Sequence, residues 1–198
     1  AENVEQALKE LGLRYTSIDC KADFLEKLIS SNYDLCYNAV HGEFGEDGQI
    51  QALLEEVGIK YTHSGVSSSI LAMNKVFSKE IFIRNDVPTP QYKMIDKDDI
   101  NENDILIPSV IKPINNGSSF GVYIIMNESD KTSFLKDIKN WKYGKYLMVE
   151  KYIEGRELTC GIIADKPTEV MEIKTKNNFY NYETKYTQGM SEYILAKD

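Results

Sequence analysis

The first 62 residues alternate between two hydrophobic periods, and that alternation narrows the choice of fold more than any other feature. Val4, Ala7, Leu8 and Leu11 recur at helical spacing over residues 3–11, and Gly12 stands where a glycine commonly ends a helix. Residues 15–20 read as a strand. Residues 23–30 return to a helix, with Phe24, Leu25, Leu28 and Ile29 apolar. Residues 34–40 are mostly apolar, which predicts a strand buried on both faces. A helix over 50–57 stops at Gly58, and 59–62 reads as a short strand. Strands and helices in alternation predict a parallel α/β sheet. Such a sheet normally opens on a strand, whereas this chain opens on a helix. A first strand is therefore expected before Ala1.

Near Ser64-Gly65 the pattern changes. Residues 67–84 predict one long helix carrying Ile70, Met73, Phe77 and Ile81 on a stripe, closed by Pro88-Thr89-Pro90. Beyond it come a strand at 92–95, an acidic loop at 96–104 and Val110-Ile111-Lys112-Pro113. A Gly/Ser loop at 116–121 leads into a strand ending at Met126. Residues 134–138 are helical, and 146–153, 158–164 and 169–173 read as strands. This half is predicted to be α+β and largely antiparallel.

Composition removes several function classes. The net charge is −8, against a general nucleic-acid binder, which needs a basic face. No apolar run exceeds five residues, so no membrane span is expected. Cys20, Cys36 and Cys160 are far apart and form no CxxC, which fits free thiols in a reducing cytoplasm. With His41 and His63 the only histidines, a histidine-rich metal site is excluded, while a carboxylate-held Mg²⁺ is not.

Several residues could carry chemistry. The loop Asn116-Gly117-Ser118-Ser119-Phe120-Gly121 offers amide N–H groups and hydroxyls to a phosphate, and Lys112 just before it offers a positive charge. No Gly-Lys-Ser/Thr follows, so it is not a Walker A loop, and a plain turn between strands is the simpler reading. Glu150 and Lys151 end an apolar strand. They suit either a solvated strand edge with a salt bridge or a hinge that hydrogen-bonds an adenine, with Glu157 taking ribose hydroxyls. Lys75 lies off the apolar stripe of its helix, where a lysine is ordinarily solvated. His41-Gly42-Glu43 follows the strand at 34–40, the end at which parallel sheets bind ligands. The stretch 179–186 is rich in tyrosine without periodicity, which suits a loop folded over a ligand or a packed surface loop.

Six motifs occur in order: His41-Gly-x-x-Gly45-Glu46-Asp47-Gly48, Tyr61-Thr62-x-Ser64-Gly65-Val66, Met73-x-Lys75, Lys112-Pro113-x-x-x-Gly117-Ser118-Ser119-x-Gly121-Val122, Glu150-Lys-x-Ile153-x-Gly155-x-Glu157 and Phe179-Tyr180-x-Tyr182-Glu183-x-Lys185-Tyr186. In this order they resemble the D-alanine–D-alanine ligase family of ATP-grasp enzymes, from the first residues to about Leu195.

The resemblance implies a fold, an activity and a set of roles. Residues 1–64 would be an N-terminal parallel α/β (preATP-grasp) substrate domain without its first strand. An ATP-grasp fold would follow, with residues 65–149 as the central ATP-binding domain and 150–198 as the start of the C-terminal catalytic domain. Lys75 and Lys112 would hold ATP phosphates, and the loop from Gly117 through Ser118 and Ser119 to Gly121 would close over them. Glu150, Lys151, Tyr152 and Ile153 would form the adenine hinge with Phe179 nearby, and Glu157 would bind the ribose. His41 would lie at the first D-alanine. Ser118 and Tyr186 would help close the active site, and Lys185 would face an acyl phosphate. The family joins two D-alanines for peptidoglycan synthesis in the cytoplasm, using ATP and Mg²⁺. It implies a homodimer, no nucleic acid and no membrane. Asp is usual in the family at the positions of Asn74 and Asn181. The substrate-binding glutamate is expected before Ala1, and the Mg²⁺ ligands beyond Asp198, with no metal ligand in residues 1–198. On that basis these residues alone are expected to lack ligase activity. Another ATP-grasp carboxylate–amine ligase and a non-catalytic nucleotide-binding fragment are the alternative readings.

Overall fold

The computed structural model describes residues 2–175 and 189–197. The chain divides into two compact units, Ala1–Ser78 and Lys79–Asp198.

In the first unit the helices are α1 (Glu2–Glu10), α2 (Phe24–Ile29), α3 (Gln49–Glu56) and α4 (Val66–Met73). Beyond α1 the N–H of Gly12 donates to the Lys9 carbonyl and that of Leu13 to Leu8, which satisfies the last carbonyls of the helix. Leu28, Ile50, Leu54 and Ile59 form the core, with Phe24, Val40 and Phe44 packed against it. The Phe24 and Phe44 rings meet edge to face, 5.5 Å apart.

The strands expected at 15–20, 34–40 and 59–62 are largely absent from this unit. A single parallel bridge, Cys36 to Tyr61, is the regular pairing seen among the described residues of these segments. Ile18 and Cys20 do pack against the core, but no ladder forms beside them. Nor is 34–40 buried on both faces, since Leu35 and Tyr37 are exposed. Apolar pattern reports burial of side chains; a strand also needs a neighbour for its backbone.

The long helix expected over 67–84 is two helices, α4 and α5 (Lys75–Arg84), broken at Asn74. Asn74 has extended backbone, and its Oδ1 accepts from the N–H groups of Val76 and Phe77 at 3.0 and 3.2 Å. At the other side of the break the Ser78 hydroxyl reaches the carbonyls of Leu71 and Ala72. The asparagine therefore starts a new helix instead of continuing the old one. The stripe does not become a core face: Ile70, Phe77 and Ile81 are exposed.

The second unit is mixed α/β with antiparallel sheets. Strands β1 (Tyr92–Asp96), β2 (Ser109–Pro113), β3 (Tyr123–Ile125) and β4 (Tyr146–Lys151) form one sheet in the order β1-β4-β2-β3. All its pairings are antiparallel. Helix α6 (Glu128–Asp137) connects β3 to β4 and is capped by Asn127, whose side chain accepts from the Asp130 N–H. It lays Phe134 into a core of Ile105, Ile111, Ile125, Trp141, Leu147 and Val149. The later strands are short: β5 (Leu158–Thr159), β6 (Ile162–Ile163), β7 (Lys166–Pro167), β8 (Met171–Thr175) and β9 (Ser191–Leu195). The order β5-β8-β9 makes a second sheet, and β6 pairs with β7. The run expected as one strand at 158–164 is thus divided between β5 and β6, and β9 had no counterpart in the sequence pattern.

Candidate functional site

Strand alternation sorts the residues of the larger sheet onto two faces. In β2, Ser109, Ile111 and Pro113 are buried on the core side, while Val110 and Lys112 are half-buried on the other. In β4, Leu147 and Val149 belong to the core, which sends Met148 and Glu150 to the face of Lys112. The register pairs Val110 with Glu150 and Lys112 with Met148, so Lys112 and Glu150 are diagonal neighbours within reach of long side chains. Tyr92 of β1 faces Glu150 from the other side.

Glu150 is not on a solvated edge. Strand β4 lies inside the sheet, and the Glu150 side chain is only 8% exposed. Its Oε1 is paired with Lys112 Nζ and its Oε2 with Lys79 Nζ, the latter at 2.9 Å. Lys79 was not singled out by sequence reasoning, which treated its helix as an apolar stripe. It is the buried residue of α5. Its four-residue spacing from Lys75, which puts two lysines on one helical face, is the signal that could have marked it.

Lys112 leads directly into the Gly/Ser loop. Ser118 and Ser119 both have positive φ, +52° and +60°, uncommon for residues with a side chain and costly unless the surroundings enforce it. At Gly121 φ is +69°, and a Cβ would lie 2.6 Å from the Tyr143 ring and 2.9 Å from Pro113. Glycine is therefore required where the loop re-enters the sheet. Past Glu150, the N–H groups of Lys151 and Tyr152 donate to the carbonyls of Gln91 and Pro108. Ile153 is exposed, as is Glu157, whose carbonyl accepts from the Ile173 N–H.

His41 belongs to the first unit and is highly exposed, with Nδ1 3.7 Å from Glu46. The loop after it is held internally. Glu46 accepts from the Gly42 N–H at 2.7 Å, and Asp47 accepts from the N–H groups of Phe44 and Gln49. Burial works against the charge on Asp47, but these bonds hold its carboxyl below the usual carboxylate range. Underneath, the Gly45 carbonyl accepts from Asn38 Nδ2 at 2.7 Å and Gln51 Nε2 at 2.9 Å, both donors buried. Lys75 stands at the start of α5, in the first unit. Phe179, Lys185 and Tyr186, with Asn181, lie outside the described residues.

Among the described residues no three His, Cys, Asp or Glu side chains come together as a metal site. No helix there is long and apolar enough to cross a membrane.

Residues 81–197 match the family described as D-ala D-ala ligase C-terminus. A D-alanine–D-alanine ligase of Wolbachia sp. subsp. Drosophila simulans is 46% identical over 194 residues, which covers 97% of this chain and 61% of that protein. The crystal structure of a Bacillus anthracis D-alanine–D-alanine ligase superposes with a TM-score of 0.72 at 30% identity, covering 93% of this chain and 60% of that one. The same enzyme complexed with ATP gives 0.70 at 29% identity, covering 88% and 56%. The chain thus spans about three fifths of the length of such relatives.

Proposed function

The chain belongs to the D-ala D-ala ligase C-terminus family, and from that premise we propose that it is part of an ATP-dependent ligase that joins two D-alanines. The observation that carries this reading is the cluster of Lys112 and Glu150 on the inner strands with Lys79 of α5, next to the Gly/Ser loop. A fixed cationic group beside a glycine-containing turn suits a polyphosphate. ATP would supply the phosphoryl group that activates one D-alanine carboxylate. Lys112 would neutralise phosphate charge, aided by Lys75 from the start of α5. Amides and hydroxyls of Gly117, Ser118, Ser119 and Gly121 would cover the phosphates. Glu150, Lys151, Tyr152, Ile153 and Phe179 would surround the adenine, and Glu157 would take the ribose. His41 would stand by the first D-alanine. Ser118, Lys185 and Tyr186 would complete the reacting centre, with the second D-alanine as nucleophile.

The domain arrangement belongs to the same reading: an N-terminal preATP-grasp domain over residues 1–64, a central domain over 65–149 and the opening of the catalytic domain over 150–198. Free thiols at Cys20, Cys36 and Cys160 support a reducing, cytoplasmic setting, and a homodimer accords with the family. No residue here is assigned to Mg²⁺, which this family is expected to use with ATP.

Calorimetry of the intact enzyme, with Lys112→Ala and Lys75→Ala variants, tests the nucleotide site. Each variant should bind ATP more weakly than wild type. Unchanged affinity in both would remove these lysines from the site. D-alanine-dependent phosphate release with D-alanyl-D-alanine as product tests the reaction.

A further inference from the structure

We propose that Lys79 is a positioning residue that lets Lys112 act as a cation toward the nucleotide, an inference that rests on the ATP-binding reading above. The starting point is a charge problem. Lys112 is paired with Glu150, and a lysine paired one to one with a carboxylate is close to neutral when seen by a phosphate. Glu150 has a second partner: Oε2 lies 2.9 Å from Lys79 Nζ. The cluster therefore carries two ammonium groups and one carboxylate, a net charge of +1.

Lys79 does not itself suit a phosphate contact. Its side chain is 6% exposed against 22% for Lys112. Its Nζ also donates to Thr89 Oγ1 and to the Pro90 carbonyl, both at 2.8 Å. With Glu150 these partners account for the three hydrogens of the ammonium. The Tyr92 ring stands 5.2 Å from the same nitrogen. Lys79 is thus a fixed, fully engaged charge. It offsets Glu150 from behind and holds the carboxylate so that Oε1 presents to Lys112. The more accessible ammonium is left with its positive field uncancelled.

The experiment compares ATP with adenosine by calorimetry on the intact enzyme, because the ratio of the two affinities isolates the phosphate contribution. Lys79→Met leaves Lys112 and Glu150 to cancel, and the ATP-to-adenosine ratio should fall by about tenfold or more. Lys79→Arg keeps the charge and should hold the ratio near wild type. Glu150→Gln alone raises the cluster to +2, so the ratio should rise. Lys79→Met with Glu150→Gln restores +1 and should bring the ratio back near wild type. The double variant also leaves no buried carboxylate short of a partner, so it serves even if Lys79→Met does not fold.

A purely structural lysine would lower both affinities together and leave the ratio unmoved in Lys79→Met, and that result overturns the proposal. A ratio that stays low in the double variant also overturns it. Wild-type enzyme that binds ATP no better than adenosine would instead refute the nucleotide reading itself.

Discussion

Gly45 lies where the chain turns back on the end of residues 34–40, and replacing it by alanine would dislodge the loop that carries His41. A Cβ at this position would fall inside contact distance of the Val40 carbonyl oxygen and 2.7 Å from the Val40 Cβ. Carbon atoms normally approach no closer than about 3.5 Å, so the backbone must shift by the better part of an ångström. The clashing atoms are the Val40 carbonyl and Cβ, which no side-chain rotation moves. Overpacking of this kind costs about 1–3 kcal/mol. The shift also pulls the Gly45 carbonyl away from two buried donors, Asn38 Nδ2 and Gln51 Nε2. A buried polar group left unpaired costs about 1–3 kcal/mol. Gly45→Ala should therefore destabilise the first unit by about 3 kcal/mol or more, a large share of an ordinary domain's stability. The control is Gly155→Ala, where a Cβ would meet nothing within 4 Å and φ is not positive. That change should stay within about 0.5 kcal/mol of wild type. Urea denaturation followed by circular dichroism measures both. If Gly45→Ala unfolds at the same midpoint as Gly155→Ala, the close approach to Val40 is not what requires glycine here.

Two further predictions concern local devices. Asn74→Ala removes the cap of α5 and should cost about 1 kcal/mol, whereas Asn74→Asp keeps the acceptor and adds a charge favourable at a helix start. Equal melting temperatures for the three proteins would show that the break does not depend on this cap. Tyr123 is pushed up to about 12 by burial and by its hydrogen bond to Asp137. Its neutral phenol therefore adds stability that is complete below about pH 10, the usual tyrosine value, and is lost as pH rises toward about 12. Tyr123→Phe should cost about 1 kcal/mol at neutral pH and flatten this alkaline loss. Urea midpoints that decline identically between pH 9 and 12 would refute that assignment.

The local elements could be read from sequence because their causes are local. Helix α1 follows from the spacing of Val4, Ala7, Leu8 and Leu11, and β2 and β4 from short apolar runs between turns. The order of the six motifs was enough to place the chain in its family. What sequence missed depends on partners far along the chain. Asn74 could equally sit inside a helix or start one; Ser78 and the carbonyls of α4 decide it. Residues 15–20 and 34–40 have strand composition, but a ladder needs a paired backbone, and one bridge is what forms. The cluster of Lys79, Lys112 and Glu150 joins residues up to 71 positions apart. A lysine on a helix looks solvated until the fold encloses it, since burying the charge is favourable only when a carboxylate and carbonyl arrive from other segments to meet it. Sequence therefore determined elements such as α1, β2 and β4 and the family, while tertiary structure decided which extended segments pair and which charges are enclosed together, because backbone pairing and desolvation are properties of the assembled fold and not of any one segment.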